Sequence, residues 1–404
     1  IPVCKLYRRG EPNEDVHDFI RENVRDPETL LGDVRAQVAA NYVAARRMVS
    51  IVEEFEDLEL TDVTDEIIRR SRKLTIDTIR SFPRGRYTAE ASVPNVHGHA
   101  VEMRVAVEMR DDEILIDFAG SSPQLPIAVN CTLAYTKSYG VFALYTLLNL
   151  KIPINEGVLD CLNVTAPEGT LFNASFPAPV FGRSLTGNLI PELVYKALAP
   201  VLPKNVMAAS GATPVWLHNF FGTGPDGRKI STLNAVSGGL GARHNIDGLS
   251  CLFFPVNITN LPVEFMETEI PIVVERRALL PDSCGHGAQR GGLGQEFAFR
   301  VLEGDIGPRD GRLDLVVRGS RGSPVWGLFG GGGGPDPEIL MNGERMPEEW
   351  AGRQLAGGDR VQFFAPGGGG YGDPRDRDPE AVREDLRNGL ISEKAARETY
   401  GRDD

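Results

Sequence analysis

The chain has 404 residues, of which 41% are hydrophobic and 25% charged, and its formal net charge is −13. This composition is typical of a globular protein, and at ~150 residues per domain the length predicts two or three domains. The acidic excess argues against nucleic acid or an anionic membrane surface as a partner, because both require a basic face.

The N-terminal region is predicted to be helical. After a short helix between Asn13 and Asn23, apolar residues recur in steps of three and four along 30–52, and a second stripe runs from Thr61 to Phe82. Because a short connection joins the two long helices, we predict an antiparallel helical hairpin over residues 1–84.

The central region, residues 85–262, is predicted to be an α+β domain. Apolar and polar residues alternate with period two between residues 86 and 118, which indicates a β-hairpin with one solvent-exposed face. Helices are predicted for Cys131–Asn149 and Thr186–Leu202. Further strands are expected here and beyond, at Leu162–Ala166, Val215–Phe221, Lys229–Val236, Glu296–Leu302, Leu313–Arg318 and Val361–Phe364.

The stretch from Pro262 to Gly294 combines a loosely alternating, Ile- and Val-rich half with a half that has five glycines in ten residues. We predict a strand bearing carboxylates that runs into a Gly-rich loop. It could be one wall of an active site, or a corner of a β-rich core in which glycine relieves crowding. We assign residues 263–374 to a β-rich Gly-loop domain.

The charged end of the chain, residues 375–404, is predicted to be a helical tail with helix starts at Asp378 and Ser392. The predicted fold is therefore α+β: a helical hairpin at the N-terminus followed by mixed, largely antiparallel β-rich layers with packed helices.

Tests for known chemical motifs are mostly negative. GxxxxGK[ST] is absent, and the run beginning at Gly239 has His244 where GxGxxG requires its third glycine. Tight turns and close backbone packing are therefore the better interpretation of the glycines. His97 and His99 could begin a metal site on a strand, but no third ligand is evident, and GxSxG is absent.

The cysteines are five in number, widely spaced and never arranged as CxxC. This pattern is typical of a reducing compartment, so we expect a cytoplasmic protein. Cys284, in the Gly-rich loop, is the one candidate reactive thiol, although a structural cysteine is the commoner case. The chain begins with Ile1 rather than Met, and we expect it to be part of a longer protein.

A set of polar residues at loops would suit hydrogen bonding to an amide or carboxylate substrate. Its two arginines could each hold a carboxylate through two hydrogen bonds. The set comprises Asp117, Ser121, Gln124, Asn130, Arg243, Asp247, Glu264, Asp282 and Arg290.

Several segments, in order along nearly the whole chain, resemble the hydantoinase B/oxoprolinase family. Each motif is weak alone, but the set is specific. The segments include DFAGSSPQ at 117–124, PINEG at 153–157, PEGTL at 167–171, PVEFME at 262–267, the loop 282–294, WGLFGG at 326–331 and PGGGGYGDP at 366–374.

The resemblance implies the B-type subunit of a hetero-oligomeric enzyme. An A-type partner would carry ATP and activate the amide oxygen, and the B-type subunit would complete hydrolysis of a small cyclic amide such as a hydantoin, 5-oxoproline or a lactam. The family's divalent-metal ligands belong to an N-terminal segment with motifs such as NDPY and GTHxPD. Neither motif occurs here, so no metal ligand is assigned and we expect the 404 residues to be catalytically incomplete.

Motif position suggests catalytic roles for Asp117, Glu264, Asp282 and Arg290. Substrate-binding roles are expected for Ser121, Gln124, Asn130, Arg243 and Asp247. Cys284 and His286 stand where Gly and Pro are commoner in the family, which affects the expected loop shape. Two alternatives remain open: a subunit like the α subunit of acetone carboxylase, which adds carbon dioxide to a ketone, and a non-catalytic scaffold that only binds an A-type partner.

Overall fold

The computed structural model describes residues 3–24, 26–55, 59–96, 98–211, 216–318, 322, 324–347 and 352–402. The chain forms two compact units, Ile1–Arg70 and Ser71–Asp404. Among the helices of the described residues, none has the length and apolarity needed to span a bilayer. The predicted boundaries at 84, 262 and 374 stay predictions.

The first unit is largely helical, as predicted. A short antiparallel pair, β1 (Tyr7–Arg8) and β2 (Glu11–Pro12), precedes α1 (Glu14–Asn23) and α2 (Pro27–Glu54). Helix α2 begins where the Asp26 carboxylate accepts the Thr29 N–H, at 3.2 Å. Of its 28 residues only Leu31 is buried. Helix α3 (Leu60–Ile79) begins in this unit and continues into the second.

The second unit opens with a four-stranded sheet in the order β3 (Gly85–Val96), β4 (His99–Met109), β5 (Ile114–Asp117), β6 (Leu162–Thr165). Only β5 and β6 pair in parallel. Helices α4 (Leu133–Leu148) and α7 (Ile190–Leu198) share its apolar core. The short helices α5 (Glu156–Leu159) and α6 (Ser184–Gly187) lie in the connections. The predicted hairpin is confirmed: alternate residues of β4 are buried, from Val101 to Met109.

Two antiparallel sheets then enclose a second core. One has the order β14 (Gly352–Ala356), β11 (Arg312–Arg318), β7 (Trp216–Thr223), β8 (Lys229–Val236). The other has the order β13 (Glu344–Arg345), β12 (Glu338–Met341), β15 (Arg360–Phe364), β10 (Gln295–Val301), β9 (Ile272–Leu279). Aromatic rings from both meet in the core, where Phe220 and Phe299 lie edge to face at 5.5 Å. The predicted α+β class with largely antiparallel sheets is confirmed.

One predicted strand is wrong in its first half. The segment after Pro262 forms helix α8 (Val263–Glu269), and β9 begins only at Ile272. The buried residues Met266 and Ile270 are four apart, which is a helical repeat, and the glutamates between them face solvent. The loose alternation of this short segment is compatible with both a strand repeat of two and a helical repeat of 3.6. The burial of Met266 against the core therefore decides between strand and helix.

The tail helices are confirmed as α9 (Pro379–Arg387) and α10 (Glu393–Glu398). Asp378 accepts the Glu380 N–H at 2.9 Å, and Ser392 accepts the Ala395 N–H at 3.1 Å. The tail has a small apolar core of its own, formed by Val382, Ile391, Ala395, Ala396 and Tyr400.

The core of the β-sandwich contains a histidine that is completely buried. His218 on β7 lies opposite Asn234 on β8, and its ring stacks on Phe363 at 3.7 Å. Within the described residues, neither ring nitrogen has a hydrogen-bond partner. Burial, and to a smaller extent the positive charge of Arg277, lowers the pKa of His218 from 6.5 to about 3.

This histidine predicts acid sensitivity. Below pH 6.5 His218 binds a proton in the unfolded chain, whereas in the folded chain it stays neutral down to about pH 3. The free energy of unfolding therefore falls as the pH falls through this window. The slope is about 1.4 kcal/mol per pH unit. Urea unfolding at pH 7, 5.5 and 4.5 should show a shallower loss for His218→Leu than for the wild type. His244→Leu, which changes an exposed histidine, should behave as wild type; identical profiles for all three would contradict this account.

Candidate functional site

Glycine-rich segments from distant parts of the chain meet inside the second unit. Their backbones bond to one another rather than to side chains: Gly285 N–H donates to the Gly368 carbonyl at 2.8 Å, Gly368 N–H to Gly292 at 2.9 Å, and Gly292 N–H to Leu240 at 2.8 Å. We call this assembly the glycine core. It comprises residues 238–241, 285–294, 327–334 and 366–372.

The glycine core depends on close approach rather than on turns. A Cβ on Gly239 would lie 1.9 Å from the Gly292 carbonyl oxygen, and one on Gly368 would lie 2.0 Å from the Leu240 oxygen. Neither glycine has a positive φ. The interpretation of these glycines as close backbone packing is confirmed. The N–H groups of Gly285, Gly292 and Gly368 already have carbonyl partners and so cannot cradle a phosphate.

A buried ion network lies beside the glycine core. The Arg377 guanidinium, 2% exposed, donates two parallel hydrogen bonds of 2.8 Å to Asp247 and two, of 2.6 and 3.1 Å, to one oxygen of Asp385. The Arg290 Nε donates to the other oxygen of Asp385 at 2.9 Å, and the Arg290 N–H to Asp247 at 2.9 Å. Burial lowers the pKa of Arg377, whereas the negative charges of Asp247 and Asp385 raise it. The second effect is larger, so the pKa of Arg377 lies above its usual value.

The loop around Asp282 also contacts the C-terminal tail, residues 375–404. Asp282 is exposed, adopts φ 57°, and accepts the Ser392 N–H at 2.9 Å. His286 Nδ1 is 2.9 Å from the Tyr400 hydroxyl. Cys284 is 3% exposed, and burial raises the pKa of its thiol to about 12, so it is not the reactive thiol considered from the sequence.

The predicted residues between 117 and 124 fix their loop through hydrogen bonds to backbone groups. Asp117 is half-buried and accepts the Ala119 N–H at 2.9 Å. The Ser121 hydroxyl accepts the Arg104 N–H at 3.0 Å and donates to the Arg104 carbonyl at 3.1 Å. Gln124 accepts the Ser175 N–H at 2.8 Å. The same loop is therefore tied at three points by side chain to backbone bonds.

Asn130 is the most constrained of the predicted residues, because its side chain is fully buried. Its oxygen accepts the Leu125 N–H at 2.7 Å, and its amide nitrogen donates to the carbonyls of Leu125, Ile127 and Pro179 at 2.8, 3.0 and 2.9 Å. Three of these bonds close the loop from Leu125 to Asn130 and the bond to Pro179 joins it to a second loop, so the geometry supports a structural clamp.

Glu264 and Arg243 are exposed. Glu264 stands in the first turn of α8, and Arg243 lies in a loop closed by its own N–H to the Ile246 carbonyl at 3.0 Å. The structure thus brings Arg290 and Asp247 together and places Asp282 in the same tail-binding loop. The catalytic and substrate-binding roles of all these residues stay predictions.

Sequence reasoning missed Arg377 and Asp385, the other half of the ion network. Both lie in a tail that also carries Arg375, Asp376 and Asp378, all exposed, and nothing in the sequence marks which charges become buried. Within the described residues no group of three or more His, Cys, Asp or Glu side chains is placed to hold a metal ion. His97, half of the pair considered from the sequence, lies outside those residues.

Comparison with known proteins places this architecture among related chains. The sequence model of the hydantoinase B/oxoprolinase family matches residues 1–374. The chain is 28% identical to the B-type subunit of a putative D-/L-hydantoinase from Pseudomonas sp. (strain NS671), over 99% of this chain and 69% of that protein. It is 30% identical to the beta subunit of caprolactamase from Pseudomonas jessenii, over 99% of this chain and 71% of that protein.

The same architecture is found in a solved structure. The crystal structure of ATP-dependent caprolactamase from Pseudomonas jessenii superposes with a TM-score of 0.88 at 27% identity, over 99% of this chain and 71% of that chain.

Proposed function

Because this chain belongs to the hydantoinase B/oxoprolinase family, we propose that it is the B-type component of an ATP-dependent enzyme that opens cyclic amides. The observation that carries the proposal is that the chain matches both a B-type hydantoinase subunit and a caprolactamase subunit along 99% of its length. The superposition on ATP-dependent caprolactamase supports it. The ring could be a hydantoin, 5-oxoproline or a lactam.

We further propose that ATP is bound by an A-type partner subunit in a hetero-oligomer. The support from this chain is physical: a phosphate loop needs free backbone N–H groups, and those of Gly285, Gly292 and Gly368 are used within the glycine core. The resemblance also implies a divalent metal. The described residues offer no three-ligand cluster for one, so no step is assigned to a metal here.

In the proposed reaction, ATP transfers its γ-phosphoryl group to the amide oxygen and leaves as ADP, and water then adds to the amide carbon. The C–N bond of the ring breaks as its nitrogen takes a proton, and a second water releases phosphate from the acyl phosphate and leaves the carboxylate. Of the predicted site residues, Arg243, Glu264 and Asp282 are exposed and Asp117 is half-buried. We therefore expect Glu264→Gln to lower turnover with little change in melting temperature. Arg290→Gln should lower both, because Arg290 also belongs to the buried ion network.

The test is to express the protein from its whole reading frame with an A-type subunit and to measure phosphate release with hydantoin, 5-oxoproline and caprolactam. Amide-dependent release of phosphate and of the ring-opened product is expected, and each subunit alone and mixtures without ATP serve as controls. If none of the three rings opens in any mixture, the proposal fails.

A further inference from the structure

Two polar side chains face each other in the core of the β-sandwich. His218 on β7 lies directly opposite Asn234 on β8 in the antiparallel register, and both are completely buried. Side chains in directly opposite positions on one face of a sheet have Cβ atoms about 4.5–5.5 Å apart. Within the described residues, neither ring nitrogen of His218 and neither polar side-chain atom of Asn234 has a hydrogen-bond partner. The core therefore contains a cluster of unpaired donors and acceptors.

These atoms require partners. Buried polar groups in folded proteins are nearly always hydrogen-bonded to protein or to ordered water, because burial otherwise removes their hydration without replacing it. The ring of His218 stacks on Phe363, with 3.7 Å between the ring centroids. Stacking occupies the face of the imidazole and leaves both nitrogens, which lie on its edge, able to hydrogen-bond in the plane of the ring.

A small cavity adjoins the pair. Its lining includes Trp216 and Val236, which form the next opposed pair on the same face of β7 and β8, and Phe363, on which His218 stacks. All three lining residues are buried. The cavity has room for about one water molecule. The atoms that require a partner and the space for one therefore lie next to each other.

The surroundings select a neutral ligand. A metal cation is disfavoured because the charge that acts on His218 is the positive guanidinium of Arg277, and because the described residues contain no group of three or more His, Cys, Asp or Glu side chains placed to hold a metal ion. An anion would lose its hydration beside the carbonyl oxygen of Asn234. Asn234 and a neutral His218 each present both donors and acceptors, and water does the same.

We propose that this part of the β-sandwich is a binding site for ordered internal water, held between His218 and Asn234. Such a water accepts a hydrogen bond from one side chain and donates one to the other. It joins β7 to β8 through their side chains in addition to the backbone ladder, and it explains how two polar residues are accommodated in the core. The site does not rest on the proposed function, because neither residue belongs to the predicted site residues.

A high-resolution crystal structure of the unmodified protein tests the site directly. A water should appear within hydrogen-bond distance, about 2.7–3.2 Å, of a His218 nitrogen and of the Asn234 side chain. A direct hydrogen bond between His218 and Asn234 with no water at either would overturn the proposal. An anomalous peak between them after soaking in bromide would overturn it as well, because it would identify an anion.

A double-mutant cycle at pH 7 tests in solution whether the two side chains share a ligand. His218→Leu and Asn234→Val each leave one polar side chain in the core, whereas the double variant leaves neither. The double variant should therefore unfold in urea at a higher concentration than the sum of the two single shifts predicts.

Ser231→Val is the control for this cycle, because Ser231 is exposed on the same strand β8. Its effect and that of His218→Leu should add. Additive effects of His218→Leu and Asn234→Val would contradict a shared water. The crystallographic test uses the unmodified protein, so it decides the question even where a variant fails to fold.

Discussion

Replacing Gly368 by alanine is expected to prevent the second unit from folding. The new Cβ would lie 2.0 Å from the Leu240 carbonyl oxygen and 2.1 Å from its carbon, and these are backbone atoms that cannot rotate away. Gly368 also donates to Gly292 and accepts from Gly285, so a local shift would break the bonds that join three segments. We expect a loss of more than about 3 kcal/mol, since the collision exceeds ordinary overpacking.

The measurement is soluble yield followed by thermal unfolding monitored by near-UV circular dichroism. Gly32→Ala is the matched control, because Gly32 lies in α2, has no positive φ, and its Cβ would meet only the end of Arg35 at 4.0 Å. Alanine there should stabilise the helix by up to about 1 kcal/mol. A Gly368→Ala protein that melts within two or three degrees of wild type would show that the glycine core tolerates expansion.

Removing the Asp385 carboxylate is the second change with a large expected effect. Asp385 accepts hydrogen bonds from both Arg290 and Arg377, and all three side chains are largely buried. Asp385→Ala leaves one guanidinium without its anion and the other with Asp247 alone. Breaking a buried pair by removing one partner costs about 3–5 kcal/mol, and we expect the tail to detach before the rest of the protein unfolds.

Limited proteolysis after residue 374 and hydrogen exchange of α9 should report the detachment. Asp376→Ala is the control: it deletes the same charge from an exposed position nine residues earlier in the same tail. Equal protection of α9 in both variants would mean that the apolar contacts of the tail, and not the ion network, hold it in place.

Elements with a strong single period could be predicted from the sequence. The alternation of β4 predicted a strand correctly, because a sheet with one solvent-exposed face requires alternating apolar and polar residues. Asp378 and Ser392 predicted helix starts correctly, because a capping side chain stands next to the helix that it caps. Helix α8 could not be predicted, because its seven residues satisfy either period and Met266 is buried by distant strands. The strands β12, β13 and β14 have only four, two and five residues and are too short to leave such a pattern.

The candidate site was less predictable for a physical reason. A polar side chain at a loop can bind a substrate or tie down the backbone, and the two uses require the same donors and acceptors. Asn130 bonds to the Pro179 carbonyl and Ser121 to the Arg104 N–H, and neither partner is marked by the sequence around the loop. Many of the segments that carried the family resemblance thus form loop clamps and the glycine core, which explains why they identified the family better than the chemistry.

The glycine core also determines when the protein can mature during synthesis. Its partners are far apart along the chain: Leu240 bonds to Gly292, which bonds to Gly368. The bonds that Gly368 makes with Gly285 and Gly292 cannot form until the ribosome has released residue 368, whereas the sheet from Gly85 to Thr165 has all of its strands much earlier. A nascent chain stalled before residue 366 would therefore carry all the strands of the first sheet but an incomplete glycine core.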